Sequence, residues 1–268
     1  MLGLGSYTFR WSIGHKGLLP PEPLTHLDLI GIAAEHGLGL VQFADNIPVD
    51  TLDAAGLAML RAEADAKGVS IEIGTQAFDA DQVGRYLGIA KMLDAELLRV
   101  ALDAPDAAVP VPELATAFRD LLPQARAAGV RIAIENHFNY PSPRLVALLE
   151  EIDDPSVGVC LDVANSICAG EWPAETVARL APHTINLHLK DYDILPDPYG
   201  VGFAIEGVPL GQGRTDCRAV LEALPRDREV NVILEHWLPR RDDMAAARAA
   251  EHDWLRQGVA HARGTLGL

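Results

Sequence analysis

Residues Ile132–His137 read IAIENH, a run of small and β-branched residues that breaks off into a carboxylate, an amide and an imidazole. A buried strand whose last residues turn polar is the pattern of a parallel α/β sheet or barrel that presents its site at the carboxyl ends of its strands. Three further apolar runs end in the same way. VGVCLDVAN ends at Asp162 and its following residues, INLHLKDY carries His188 and Lys190, and VNVILEHW ends at Glu235. The rest of the chain reads as a scaffold that brings Glu135, Asp162, His188 and Glu235 to one point.

Outward from these runs, strands alternate with Ala/Leu-rich amphipathic segments. Leu2 to Phe9 reads as the first strand, followed by a helix from Leu24 to His36. Gly39 to Asp45 is the second strand, with a helix from Leu52 to Lys67. VSIEIGT is the third, with a helix from Asp81 to Leu93. ELLRVALD is the fourth, with a helix from Pro112 to Ala128. VRIAIENH is the fifth, with Pro143 to Ile152 as its helix. VGVCLDV is the sixth, followed by Ala174 to Leu180. HTINLHLKD is the seventh, and a long loop from Asp191 to Thr215 precedes the helix Asp216 to Leu224. VNVILEHW is the eighth, closed by Met244 to Ala262. Gly37, Gly68 and Gly129 stand where C-cap glycines belong.

Eight units of about thirty residues fit the βαβ period and favour closure over an open sheet. No GxGxxG follows the first strand, which argues against a dinucleotide-binding sheet. With no linker or composition break, residues 1–268 are expected to form one domain, an α/β protein with a single (β/α)8 TIM barrel.

Of the 268 residues, 49% are hydrophobic, enough for a large core, and the formal net charge is −16. So acidic a chain is a poor partner for nucleic acid or an anionic membrane, yet it does not exclude an anionic small substrate met by local cations. No apolar run reaches the length of a membrane span. The start, MLGLGSYTFRWSIG, lacks the basic and long apolar regions of a signal peptide, so a cytoplasmic location is expected. Cys160, Cys168 and Cys217 form no CxxC and read as reduced.

Carboxylates with one imidazole make a hard, oxygen-rich set that suits Mn²⁺ or Mg²⁺ and also accommodates Co²⁺ or Zn²⁺. A lone glutamate at a strand end is usually a salt-bridge partner, and a lone histidine in an apolar strand is usually structural. Four such residues at four successive strand ends outweigh those readings. The pieces IENH, CLDVANS, NLHLKD and ILEHW, in that order and across essentially the whole chain, resemble the xylose-isomerase-like TIM barrels of the sugar phosphate isomerase/epimerase superfamily. The resemblance implies that Glu135, Asp162, His188 and Glu235 bind one divalent metal, and that Glu135 and Glu235 also move the proton. A metal across a carbonyl and a neighbouring hydroxyl stabilises the enediolate left when an α proton departs, and a carboxylate on each face permits epimerisation.

Strand parity supplies further candidates. His137 shares a face with Glu135 as a base, acid or donor, and Lys190 shares one with His188 as a catalytic cation. Arg99, inside ELLRVALD, is expected to bind an anionic group unless an ion-pair network takes it. Glu72 and Gln42 are expected to hydrogen-bond substrate hydroxyls. Trp11, with Tyr7 and Phe9, is expected to pack on a sugar face. In GVPLGQGRTD, the GxGR turn offers backbone N–H groups and Arg214 to a ligand anion. The loop Asp191–Gly207, with Tyr192, Tyr199 and Phe203, reads as a lid.

The leading functional expectation is a metal-dependent isomerase or epimerase of a ketose or related keto sugar. The alternative is a lyase (decarboxylase, dehydratase or β-eliminating enzyme) acting on a 3-oxo sugar acid. IENH, the Gly202–Phe203 segment and the GQGR turn are more similar to the branch that includes 3-oxo-isoapionate decarboxylase. An endonuclease-IV-like nuclease would need many more histidines and a basic groove. A non-catalytic sugar-binding barrel would have no use for both Glu135 and Glu235. The expected partner is a carbohydrate or sugar-acid small molecule, with a homodimer expected by analogy with similar barrels.

Overall fold

The computed structural model describes residues 1–268. Eight parallel strands close into a barrel: β1 Leu2–Gly5, β2 Leu40–Phe43, β3 Ser70–Gln76, β4 Leu97–Ala101, β5 Arg131–Glu135, β6 Val157–Asp162, β7 Thr184–Leu189 and β10 Asn231–Leu234. An antiparallel hairpin, β8 Asp191–Pro196 with β9 Phe203–Val208, is inserted between β7 and β10. The closing contact pairs β1 with β10 in parallel.

The barrel strands are apolar along most of their length because both of their faces are covered, one by the lumen and one by the helices. Each helix buries one stripe against them. Val111–Ala128, for example, buries Leu114, Phe118, Leu121, Leu122 and Ala125. Its C-cap, Gly129, has φ +72°, as does Gly68 at +65° after Ala54–Lys67; both are positions that L residues with a Cβ resist. Thr25 and Asp28 cap His26–Glu35 reciprocally. No helix is long and apolar enough to cross a membrane.

Two expected elements differ. The first strand stops at Gly5, and Ser6–Phe9 and Arg10–Ile13 are short helical turns. Hydroxyl side chains make the switch: Ser6 Oγ accepts from the Ala44 N–H at 2.9 Å and Thr8 Oγ1 donates to the Leu234 carbonyl at 2.7 Å. Backbone bonds that a longer strand would need are thus replaced, and residues 6–13 curl over the barrel mouth. The segment 191–215 is not a structureless loop either, since its first half is the β8–β9 hairpin.

Candidate functional site

Glu135 and Asp162 are the last residues of β5 and β6, His188 lies near the end of β7, and Glu235 directly follows β10. Asp162 stands beside His188 in the β6–β7 register. One ligand atom from each of Glu135, Asp162 and His188 lies within 4.8 Å of the others, and all three residues are buried. His188 Nδ1 is 3.5 Å from Glu135 Oε1, 3.8 Å from Asp162 Oδ2 and 3.4 Å from Glu235 Oε1. Glu235, the fourth expected ligand, therefore reaches the same nitrogen, but its other oxygen is held by Lys190 Nζ at 2.8 Å. Gly5 makes room for it, because a Cβ there would stand 2.9 Å from Glu235 Cγ.

Two buried cations face these acids. Lys190 Nζ is 2.6 Å from Asp162 Oδ2, and Arg99 Nε is 3.0 Å from Glu135 Oε2. Arg99 also reaches Asp45 Oδ1 at 3.7 Å and donates to the Thr75 carbonyl. Burial alone would raise the Glu135 carboxyl, but Arg99 and then His188 hold it well below the usual carboxylate range. Burial pushes Asp162 up against the opposing pull of Lys190. For His188, burial opposes a charged ring, and the surrounding anionic groups, Glu235 and Glu135 among them, overcome it and raise its pKa.

The residues fit a divalent cation. His188 Nδ1 is buried with no hydrogen-bond partner, while Asp162 Oδ2 and Glu135 Oε2 meet only Lys190 and Arg99 as ion pairs. Glu135, Asp162 and Glu235 are opposed by only two fixed cations, Arg99 and Lys190, so with a neutral His188 ring the cluster keeps one uncompensated negative charge. Carboxylate oxygens and one imidazole nitrogen are the donor set of Mg²⁺, Mn²⁺ or Zn²⁺.

The site opens into a cavity of about 1030 Å³ at the carboxyl end of the barrel. Of the expected candidates, Glu135, Glu235, His137, Lys190, Arg99 and Trp11 line it. His137 packs on Phe138 with ring centroids 4.4 Å apart, and Trp11 Nε1 donates to the Leu238 carbonyl. Arg99 is turned to Glu135 and Asp45 rather than left free for a ligand. Lys190 pairs with Asp162 and Glu235 instead of Asp191 or Asp193.

Three candidates lie elsewhere. Gln42 and Glu72 sit below the site in the barrel lumen, bonded to each other at 2.9 Å, and do not line the cavity. Arg214 is also absent from its walls; it is exposed and bonds Asp193 Oδ1 at 2.7 Å. The N–H groups of the GxGR turn are already satisfied: those of Gly211 and Gly213 donate to Asp191 Oδ2 and that of Thr215 to Asp191 Oδ1. An internal carboxylate thus occupies the place expected for a ligand anion. Of the hairpin, Ile205, Glu206 and Gly207 line the cavity, whereas Tyr199 and Phe203 face solvent and Tyr192 is buried. Phe9 is in the core against His252, away from the cavity.

Several contributors escaped the sequence reading. Asn165 Nδ2 donates to Glu135 Oε1 at 2.9 Å, and its backbone N–H, with that of Ala164, donates to Asp162 Oδ1. Asn136 embraces the Asp162 backbone, accepting from its N–H and donating to its carbonyl, each at 2.8 Å. Trp237 lies under Lys190 Nζ, 5.2 Å from the ring centroid. Its spacing of two from Glu235 was a signal available in the sequence. Asp45, with no such signal, lines the cavity and accepts at 2.8 Å from the hydroxyl of Tyr7, an expected candidate that lines it too.

A family model described as "Xylose isomerase-like TIM barrel" matches residues 30–258. The chain is 30% identical over 259 residues to a protein of Pectobacterium atrosepticum named 3-oxo-isoapionate decarboxylase, covering 96% of this chain and 93% of that one. It is 26% identical over 254 residues to 2-epi-5-epi-valiolone 7-phosphate 2-epimerase of Actinoplanes sp., covering 92% and 83%. A crystal structure of D-psicose 3-epimerase in the presence of D-fructose superposes with a TM-score of 0.73 at 17% identity, covering 100% of this chain and 99% of that one.

Proposed function

This chain belongs to the xylose isomerase-like TIM barrel family, and we propose that it is a divalent-metal-dependent lyase that decarboxylates a 3-oxo sugar acid. One observation carries the reading: both active-site glutamates are engaged by fixed cations, Glu135 by Arg99 at 3.0 Å and Glu235 by Lys190 at 2.8 Å. Epimerisation and isomerisation by proton transfer require a base free to take a proton from carbon, and the glutamates are the carboxylates placed for it. Decarboxylation requires none. The bond between the α carbon and the carboxylate carbon breaks, CO₂ leaves, and the electron pair passes to the α carbon and the 3-oxo oxygen.

A divalent cation held by Glu135, Asp162 and His188, with Glu235 at its edge, would supply Lewis-acid stabilisation of the charge that develops on that oxygen. Lys190, an ammonium lining the cavity, then delivers a proton to the α carbon and regains one from solvent. Arg99 keeps Glu135 anionic as a ligand. Arg10, Lys16 and Arg240 line the same cavity and form no ion pair; Asp103 and Glu206 line it unpaired as well, so one unmatched positive charge remains there for an acid substrate despite the net −16. The name of the Pectobacterium atrosepticum relative supports the same reaction class.

A second reading, epimerisation, is favoured by the convergence of Glu135 and Glu235 on one point, 3.5 and 3.4 Å from His188 Nδ1. Incubation of the Mn²⁺-loaded protein in D₂O with carboxyl-¹³C 3-oxo sugar acids and with ketoses separates the two. Release of labelled CO₂ above the spontaneous rate, with one deuteron placed on the product carbon, is expected. Deuterium exchange into ketoses without CO₂ release would replace the lyase reading with the epimerase.

A further inference from the structure

The lumen beneath the metal site is polar where barrels of this kind usually stack Val, Ile and Leu. Glu72 on β3, Gln42 on β2 and Asn186 on β7 are all buried there, with Asn231 of β10 partly buried beside them. Glu72 receives three amide donors: Gln42 Nε2 and Asn186 Nδ2 on Oε2, both at 2.9 Å, and Asn231 Nδ2 on Oε1 at 2.7 Å. Above them, Gln42 Oε1 lies 2.7 Å from His188 Nε2. Gln42 and Glu72 are register neighbours, but His188 is reached across the lumen from a strand that neither touches.

With Glu72 ionised, as its three amide donors favour against the opposing effect of burial, these contacts leave a single consistent set of proton positions. An ionised carboxylate only accepts, so the NH₂ ends of Gln42 and Asn186 must face Glu72. The second Gln42 proton goes to Asn186 Oδ1 at 3.1 Å. With its nitrogen committed, Gln42 presents its oxygen to His188, and an amide oxygen only accepts. His188 Nε2 must therefore carry a proton, which leaves Nδ1 to point at Glu135, Asp162 and Glu235. Such a ring nitrogen facing three acids needs either a proton or a metal cation between them, and a bound metal takes the proton's place. We propose that Glu72, acting through Gln42, is a positioning device that fixes the tautomer of His188 and so presents Nδ1 to the divalent metal. It is a carboxylate–histidine–metal relay with an amide interposed, and it explains why a carboxylate is kept in a dry lumen at the cost of desolvation.

The inference rests on the metal reading above but on neither reaction. Its test uses Gln42→Met, which keeps length but loses the acceptor, and Glu72→Gln, which frees the amides to flip. The Mn²⁺ affinity of the metal-free proteins is measured by titration calorimetry. The state of His188 is read by ¹⁵N NMR of histidine-labelled, Zn²⁺-loaded parent. The parent is expected to bind one Mn²⁺ per chain and to show a protonated Nε2 with Nδ1 on the metal. Gln42→Met is expected to weaken Mn²⁺ binding about 10- to 100-fold, and Glu72→Gln to weaken it with loss of the single His188 tautomer. A parent ligated through Nε2 overturns the proposal even if neither variant folds. Parent-like affinity and tautomer in both variants overturn it while leaving the metal site intact. A parent that binds no metal removes the metal reading itself.

Discussion

Replacing Arg99 by Met isolates the interaction on which the reaction reading rests. Arg99 is 2% exposed and lies 3.0 Å from Glu135 and 3.7 Å from Asp45. Methionine fills much of the same volume, so the packing loss is small and the electrostatic loss dominates. Glu135 Oε2 then has no countercharge in a dry site. Stranding one partner of a buried ion pair costs about 3–5 kcal/mol. At about 2–4 °C per kcal/mol, the metal-free variant should melt roughly 6–20 °C below the parent. Saturating Mn²⁺ binds the native state and should return part of that loss, because the ion takes over as countercharge to Glu135. Calorimetric melts of both proteins, with and without Mn²⁺, provide the four values needed. A variant within about 1 kcal/mol of the parent under both conditions would show that Arg99 does not hold Glu135, and the argument against a free glutamate base would go with it.

Lys190→Met should keep bound metal yet lose about 10²- to 10⁴-fold in kcat for decarboxylation, the usual worth of a positioned proton donor; steady-state CO₂ release measures this, and an unchanged kcat removes Lys190 from the chemistry. Gly5→Ala forces a methyl group to within 2.9 Å of Glu235 Cγ and 3.0 Å of Ile233 Cγ2, so it should cost about 1–3 kcal/mol and weaken Mn²⁺ binding. Equal affinity in that variant would mean that Glu235 is not constrained there. Arg214→Ala, at an exposed residue outside the cavity, should change activity less than twofold, and a tenfold loss would restore it as a ligand contact. Glu251 accepts from the Trp11 and Ser12 N–H groups and the Ser12 hydroxyl, and burial pushes its pKa up to about 7 from 4.5. Because the folded value is the higher one, the stability it contributes is full below about pH 4.5 and is lost as pH rises through about 7, an amount of about 3 kcal/mol. Glu251→Gln should abolish that component in urea unfolding between pH 5 and 8, and a pH-independent difference between the two proteins would contradict it.

The strand ends were legible because burial and polarity change together there: Ile132 to Ile134 could be nothing but core, and Glu135 directly after them required a reason. The alternation of eight such runs with amphipathic segments then determined the barrel. What was not legible is which partner a polar side chain finds. Glu72 and Gln42 have the parity of substrate contacts, but they stand a layer too low, and depth along a barrel axis depends on stagger that a single strand does not reveal. Arg214 follows a glycine turn that looks anion-binding in isolation; Asp191, twenty-three residues earlier, fills it, a contact made only by folding. Ser6 and Thr8 sit in a stretch with strand-like alternation, and tertiary hydrogen bonds to Ala44 and Leu234 override it.

Equilibrium dialysis against Mn²⁺ of the parent and of Asp162→Asn, followed by elemental mass spectrometry, tests the central claim most directly. The account predicts close to one Mn²⁺ per chain in the parent and a large loss of binding in the variant, since Asp162 contributes a buried ligand oxygen beside Glu135 and His188. Equal metal content in the two proteins, or none in the parent at millimolar Mn²⁺, would contradict it and return these acids to the role of salt-bridge partners for Arg99 and Lys190.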